Sequence, residues 1–263
     1  MTAIAMTSYG TLPAVCITCP DGAEAIVTLY GAHLVSWKTA DGRQRLFCSA
    51  KSALDGTRAI RGGVPVIFPQ FAERGTGMRH GFARVSNWRL AASGAGFAVF
   101  ALTRAELAPA NMPAWPHGFE LQLRVALQGD TLSLALEVKN TGADAFAFSA
   151  ALHTYFLVDA LDDVAIDGLQ EAPLRIDDKI DRIVRGAGAG VTLVQPGGAL
   201  TLTQSGFRDV VVWNPGAADS AALADLEDDE YLRFVCLEAA LIEPLTLPPG
   251  AVWRGEHRVS AGF

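Results

Sequence analysis

Between Thr57 and Leu90 the chain carries six arginines, Arg58, Arg61, Arg74, Arg79, Arg84 and Arg89, against one carboxylate, Glu73. That local balance of 6 − 1 = +5 sits in a chain whose net charge is −7. Forked guanidinium donors suit a phosphate or carboxylate. Gly62-Gly63 and Gly81 allow the backbone to approach a ligand, and Pro65 and Pro69 stiffen the loop around them. A solvated turn with scattered surface arginines has the same composition, so composition leaves both readings open. Two further positions could move protons. His153 lies in A-L-H-T-Y-F (151–156), inside an otherwise apolar run, where an imidazole serves either as a hydrogen-bonded core residue or as an acid/base group. Glu238 ends F-V-C-L-E (234–238), and a carboxylate in so apolar a strand needs a partner or a task. Asp209 and the Trp-Asn-Pro turn of R-D-V-V-V-W-N-P (208–215) offer a carboxylate for sugar hydroxyls and an aromatic face for a ring, or simply a strand closing on a turn.

These groups must be held by strands. In FELQLRVALQ (119–128), Phe119, Leu121, Leu123, Val125 and Leu127 fall on one face. Gly129-Asp130 supplies a two-residue turn, and TLSLALEVK continues with Leu132, Leu134, Leu136 and Val138 inward. The next stretch, AFAFSAALHTYFLV (145–158), is apolar on nearly both faces, which suits a central strand. On the strand that ends in Glu238, period two puts Phe234, Cys236 and Glu238 on one face. The convincing helical stretch is short, SAALADLEDDEY (220–231), with Asp219 or Ser220 as N-cap. Few helices and many turn-punctuated strands predict an all-β fold, a large antiparallel β-sandwich with a few short helices. With no repeat, linker or composition shift, residues 1–263 read as one domain.

Composition narrows the partners. Half of the 263 residues are hydrophobic and 19% are charged, as in a well-buried globular protein. No run approaches the ~18 apolar residues of a membrane helix, and the N-terminus lacks a basic flank followed by an apolar block, so the expectation is a cytoplasmic protein without membrane association. A sequence pI near 5.2 argues against nucleic acid, which needs a broad basic face. The arginine segment therefore points to a small anion. Cys16 and Cys19 form C-x-x-C, but no second close Cys or His pair follows, so they read as reduced structural cysteines rather than a metal site. His33, His117 and His257 lack a supporting motif and read as structural or surface residues.

Taken in order, R-G-G-V-P (61–65), R-H-G-F-A-R (79–84), A-L-H-T-Y-F, V-V-W-N-P (211–215) and V-C-L-E (235–238) resemble the glucose-6-phosphate 1-epimerases, or hexose-6-phosphate mutarotases, of the aldose 1-epimerase superfamily. The flanking G-A-H-L-V-S-W (31–37) and L-P-P-G (247–250) extend the resemblance over nearly the whole chain. It implies a galactose-mutarotase-type β-sandwich with an open cleft on one sheet, no metal or organic cofactor, and a monomer whose partner is a small hexose phosphate. By matching position, it implies His153 as general acid and Glu238 as general base. Asp209 and His80 match residues that bind sugar or shape the site, and Arg61 and Arg84 match residues that hold the phosphate. Arg79 stands where relatives often carry an uncharged residue, and enters the substrate-binding set as a departure from the pattern. Two other functions fit the same residues: a mutarotase for unphosphorylated aldoses, which the Arg61 and Arg84 pair speaks against, and a non-catalytic carbohydrate-binding sandwich, which would be expected to lack His153 or Glu238.

Overall fold

Phe119–Gln128 and Thr131–Asn140 form a hairpin in the register that their alternation requires, with Phe119 opposite Asn140 and Gln128 opposite Thr131. Gly129 turns the chain at a φ of 55°, a conformation that costs glycine little. The computed structural model describes residues 3–109, 111, 114–187 and 190–262. This hairpin lies within an eight-stranded antiparallel sheet whose order is Ala165–Asp167, Val191–Gln195, Gly198–Ser205, Val252–Gly262, Thr131–Asn140, Phe119–Gln128, Phe97–Thr103 and Arg89–Gly94. A four-stranded sheet runs in chain order from Ala3–Tyr9 through Leu12–Thr18 and Glu24–Thr28 to His33–Lys38.

The six-stranded sheet positions the site. Its path is Ile180–Arg185, Asp209–Asn214, Phe234–Leu247, Phe146–Leu152 and Val66–Ile67, with Tyr155–Leu157 also paired to Phe234–Leu247. From Phe234 to Ile242 that long strand is buried at every residue. Leu237, Ala239 and Leu241 face the other sheets, in one cluster with Leu121, Leu123, Leu134 and Val27. Each buried leucine or valine among them contributes about 1.5–3 kcal/mol of transfer free energy. On the other face Phe234 and Cys236 pack with Phe47, Tyr155 and Leu226. Ala240 and Ile242 pack with Ile67, Phe71, Ala151 and Val211. Glu238 falls between these two outer clusters, on the face that the alternation assigned to it. The large antiparallel β-sandwich expected from the sequence is the fold observed.

Two local expectations need correction. The run AFAFSAALHTYFLV is not one strand but two, Phe146–Leu152 and Tyr155–Leu157. The ladder breaks at His153, whose N–H donates to the Pro65 carbonyl (3.1 Å) instead of continuing the pairing. The helix is Gly216–Ala222, with Pro215 at its N-cap and no side-chain cap, rather than a segment starting at Asp219 or Ser220. The acidic run that follows forms turns because its side chains are claimed elsewhere. Asp225 pairs with Arg61 and Glu227 with Lys51, Glu230 accepts from Ser49 Oγ and Ala50 N, and Leu226 is fully buried. No helix among the described residues is long and apolar enough to cross a membrane.

Candidate active site

A cavity of about 240 Å³ opens on the outer face of the six-stranded sheet. It brings together six of the seven residues expected from the sequence: Arg61, Arg79, His80, Arg84, His153 and Glu238. At its floor His153 Nε2 and Glu238 Oε1 are 3.3 Å apart. Glu238 is 1% exposed and His153 8%. Burial drives the imidazole well below its ordinary pKa, with His80, Arg61 and Arg84 adding to the effect. Burial also drives the Glu238 carboxyl well above its ordinary value, with the Asp181 carboxylate adding to it. Both shifts favour the uncharged forms. The environment therefore opposes, rather than assists, a permanently protonated His153.

The seventh residue, Asp209, is not in the lining. Its two carboxylate oxygens accept from Ile242 N (3.1 Å) and Gly186 N (3.3 Å), which ties it to neighbouring backbone rather than placing it against a sugar in the cavity. Asp181 lines the cavity instead. It lies opposite Trp213, four residues along from Asp209, and at that end the sheet faces the cleft.

His80 holds a left-handed φ of 64°, rare for a residue with a side chain. The strained turn lets its own N–H donate to the Ala72 carbonyl while Nδ1 accepts from Ala72 N. With Nδ1 acting as acceptor, the neutral ring carries its proton on Nε2. Burial, then Arg84, Arg79 and Arg61, depress its pKa to about 3. The His80 ring meets the edge of His153 at a centroid distance of 5.6 Å.

Arg61 is held at two points, Nη1 donating to Tyr155 Oη (3.0 Å) and Nη2 to Asp225 Oδ1 (3.1 Å). Arg84 Nη2 donates to the Arg79 carbonyl (2.9 Å). In both arginines Nε is buried without a hydrogen-bond partner among the described residues. Both side chains line the cavity, and two guanidinium groups at one wall suit an acceptor-rich anion. The backbone below Arg61 is set by close approach. A Cβ on Gly62 would run into the Phe47 carbonyl and one on Gly63 into the Leu34 carbonyl, and His33 Nε2 donates to the Gly62 carbonyl at 2.7 Å. Arg79 differs from the other two. Its side chain is 65% exposed, and its contact with Glu73 at 3.8 Å joins two solvated groups; such pairs contribute about 0–1 kcal/mol and do not fix a side chain.

Sequence reading missed Asp181, Tyr155 and Asp225, all of which line the cavity. None had a distinguishing local signal. Asp225 sits in an acidic run, Tyr155 reads as an apolar strand residue, and Asp181 alternates unremarkably in I-D-R-I-V-R. Trp213 lines the cavity, and its ring meets His153 edge-on at 5.9 Å. Among the described residues, no group of three or more His, Cys, Asp or Glu is gathered as a metal ion would require.

Residues 13–176 match the family model described as aldose 1-epimerase. The chain belongs to the aldose 1-epimerase family. As an aldose 1-epimerase it is an isomerase that acts on a sugar at the anomeric carbon. Among its relatives, a protein of Cenchrus ciliaris named "Putative glucose-6-phosphate 1-epimerase" is 34% identical over 267 residues, covering 90% of this chain and 81% of the relative. A protein of the same name from Escherichia coli K12 is 33% identical over 247 residues, covering 82% and 79%. Among solved structures, one titled as a "putative mutarotase (YeaD)" of Salmonella typhimurium superposes with a TM-score of 0.86 at 27% identity, covering 98% of this epimerase and 93% of that chain. The galactose 1-epimerase of Lactobacillus acidophilus NCFM shares the fold, with a TM-score of 0.73 at 13% identity over 100% and 99% of the two chains.

Proposed function

We propose that this epimerase interconverts the α and β anomers of a hexose 6-phosphate, with glucose 6-phosphate as the first substrate to test. The observation that carries the reading is the presence, in one cavity, of a buried His-Glu pair and two arginine side chains, Arg61 and Arg84. The names of the relatives support the same substrate.

Ring opening removes the proton from the anomeric hydroxyl and delivers one to the ring oxygen. The bond between the anomeric carbon and the ring oxygen breaks, and the hydroxyl oxygen becomes the aldehyde carbonyl. Both oxygens are attached to one carbon, so acid and base must stand side by side. A contact of 3.3 Å between His153 Nε2 and Glu238 Oε1 meets that demand. Starting from imidazolium and carboxylate, opening moves one proton from His153 to the ring oxygen and another from the anomeric hydroxyl to Glu238. The aldehyde then rotates. The new hydroxyl attacks its other face and returns its proton to His153, while Glu238 returns the other to the anomeric oxygen.

The burial that disfavours charge makes the imidazolium-carboxylate form costly in the closed site. The neutral arrangement carries no such penalty and is the resting form, so the environment favours the opened state over the ion pair from which opening starts. Direct transfer across the His153-Glu238 contact interconverts the two arrangements without solvent. Asp181 and the His80 Nε2–H supply an acceptor and a donor for sugar hydroxyls, and Trp213 supplies an apolar wall. Arg61 and Arg84 compensate the phosphate dianion.

The test is exchange NMR or polarimetry on freshly dissolved α-glucose 6-phosphate with and without the protein. Acceleration of anomer equilibration is the expected result. Acceleration on free glucose alone would replace this reading with that of an unphosphorylated-sugar mutarotase, and no acceleration on either would leave a carbohydrate-binding sandwich.

A further inference from the structure

Tyr155 touches both halves of the cleft, although neither proton transfer nor phosphate contact requires it directly. Its hydroxyl accepts from Arg61 Nη1 at 3.0 Å. Its ring lies parallel to the His153 imidazole, with centroids 4.9 Å apart and planes 9° from parallel. On the reading of the cleft as a hexose 6-phosphate mutarotase site, we propose that Tyr155 is a positioning residue that joins the anion-binding end to the acid/base pair. Its hydroxyl directs the guanidinium, and its ring backs the imidazole.

The backbone carries the same link. Tyr155 N donates to the Gly63 carbonyl (2.9 Å), and His153 N donates to the Pro65 carbonyl (3.1 Å), so both residues hang from the segment that follows Arg61. Phe47 closes the loop, its N–H donating to the Tyr155 carbonyl and its own carbonyl accepting from Gly63 N at 2.6 Å. The Tyr155 ring cannot swing away, because Phe234 meets it at 5.2 Å and Trp213 at 6.0 Å and only 2% of the residue is exposed. Burial keeps the phenol protonated, so the contact with Arg61 is that of a neutral acceptor. Asp225 on Nη2 supplies the opposite charge, whereas Tyr155 supplies direction. An arginine side chain left unbraced would have to be ordered by the ligand at the moment of binding, which weakens affinity.

The two roles separate by substitution. Tyr155→Phe keeps the ring against His153 and removes the hydroxyl from Arg61. It is expected to raise KM for glucose 6-phosphate by about 5- to 30-fold, less than the full loss of a hydrogen bond to a charged group because Asp225 still holds the guanidinium, with the loss falling on KM rather than kcat. Tyr155→Leu removes the stack as well, and is expected to lower kcat by about 10- to 100-fold on both glucose 6-phosphate and glucose, the scale of a small misplacement of a catalytic group. Both are read by exchange NMR at varied sugar concentration, with thermal unfolding of each variant recorded alongside. Should the leucine variant fail to fold, the phenylalanine variant still decides the matter. In Tyr155→Phe, an unchanged KM for glucose 6-phosphate, or a loss that falls on kcat equally for the two sugars, overturns the proposal. Wild-type turnover of glucose 6-phosphate is the control. Its absence removes the phosphate reading of the cleft, whereas wild-type turnover with an indifferent Tyr155→Phe removes only the brace.

Discussion

His153 stands directly across an antiparallel strand pair from Glu238. Leu152 is opposite Ala239 on one side and Tyr155 opposite Cys236 on the other, which leaves His153 facing Glu238 with their side chains on the same face of the sheet. The 3.3 Å contact is thus a consequence of register. A slip of one residue would turn one of the two groups into the core. Between Leu152 and Tyr155 the ladder is interrupted at His153 and Thr154, where the His153 N–H turns to the Pro65 carbonyl. That break ties the acid/base pair to the arginine-bearing segment.

Removing either group is expected to lower kcat by roughly 10²- to 10⁴-fold, the usual contribution of a positioned acid or base. His153→Ala and Glu238→Gln are the variants, assayed by exchange NMR. Because the two act within one event, the double variant should lose far less than the product of the single losses. Near-wild-type turnover in either single variant would take that residue out of the mechanism.

The pH profile follows from the directions of the two shifts. The pair works while it holds one exchangeable proton between its members. Adding a second proton charges a His153 whose pKa is depressed, so the acid limb of kcat/KM should lie below pH 6.5, the ordinary imidazole value. Losing the first proton ionises a Glu238 whose pKa is raised, so the other limb lies well above the ordinary carboxylate range. These limbs belong to the pair rather than to either residue. Asp181→Asn removes a negative charge that raises Glu238, and should move the upper limb to lower pH. Free glucose is the substrate of choice here, because the phosphate ester itself titrates near pH 6. An upper limb unmoved by Asp181→Asn would show that Asp181 does not act on Glu238.

Much of this site was legible in the sequence because local alternation fixes which face a residue takes. Phe234, Cys236 and Glu238 came out together on the face where the structure has them, and the 119–138 hairpin kept its register. Failures arose where the answer depended on contacts distant in sequence. Asp209 shares the outer face with Val211 and Trp213, but only tertiary packing shows that Ile242 and Gly186 engage its carboxylate. The acidic run after Ala222 resembles helix until Arg61, Lys51 and Ser49 are seen to capture its side chains. Tyr155 was hidden among apolar strand residues, because a phenol reads the same way in a core and against a guanidinium.

Stability should fall on acidification well before the carboxylates dominate. His33 and His257 are fully buried, with pKa values depressed to about 4 by burial. In the unfolded chain each titrates near 6.5. Between those values the unfolded state binds more protons than the native state, so unfolding becomes easier as pH falls. The contribution is fully present above pH 6.5 and is lost as pH falls toward 4; for each residue it amounts to about 3 kcal/mol as an order of magnitude. Calorimetric Tm should therefore climb between pH 4.5 and 6.5, with the buried His80 and His153 adding to the slope and the raised Glu238 opposing it. Neither ring nitrogen of His257 has a partner among the described residues, so His257→Leu should remove part of that slope. A variant with the wild-type slope would mean that His257 is not buried neutral in solution.

Substrate choice is the last matter, and Arg84 is the residue to test. Its Nε is buried without an acceptor, it lines the cavity beside His153, and Nη2 is already fixed on the Arg79 carbonyl. If it meets the phosphate, Arg84→Ala removes one or two charge-assisted hydrogen bonds. At about 1.5 to 3 kcal/mol each, one such bond corresponds to roughly 10- to 150-fold in kcat/KM. The quantity to measure is the ratio of kcat/KM on glucose 6-phosphate to that on glucose, which should fall by that factor. General damage to the fold would depress both sugars and leave the ratio intact. Arg79→Gln is the companion, because its guanidinium is exposed and loosely paired with Glu73, and it should change the ratio by less than about threefold. A ratio unchanged in Arg84→Ala would overturn the phosphate assignment, and an Arg79→Gln loss as large as that of Arg84→Ala would bring Arg79 from the rim into the clamp.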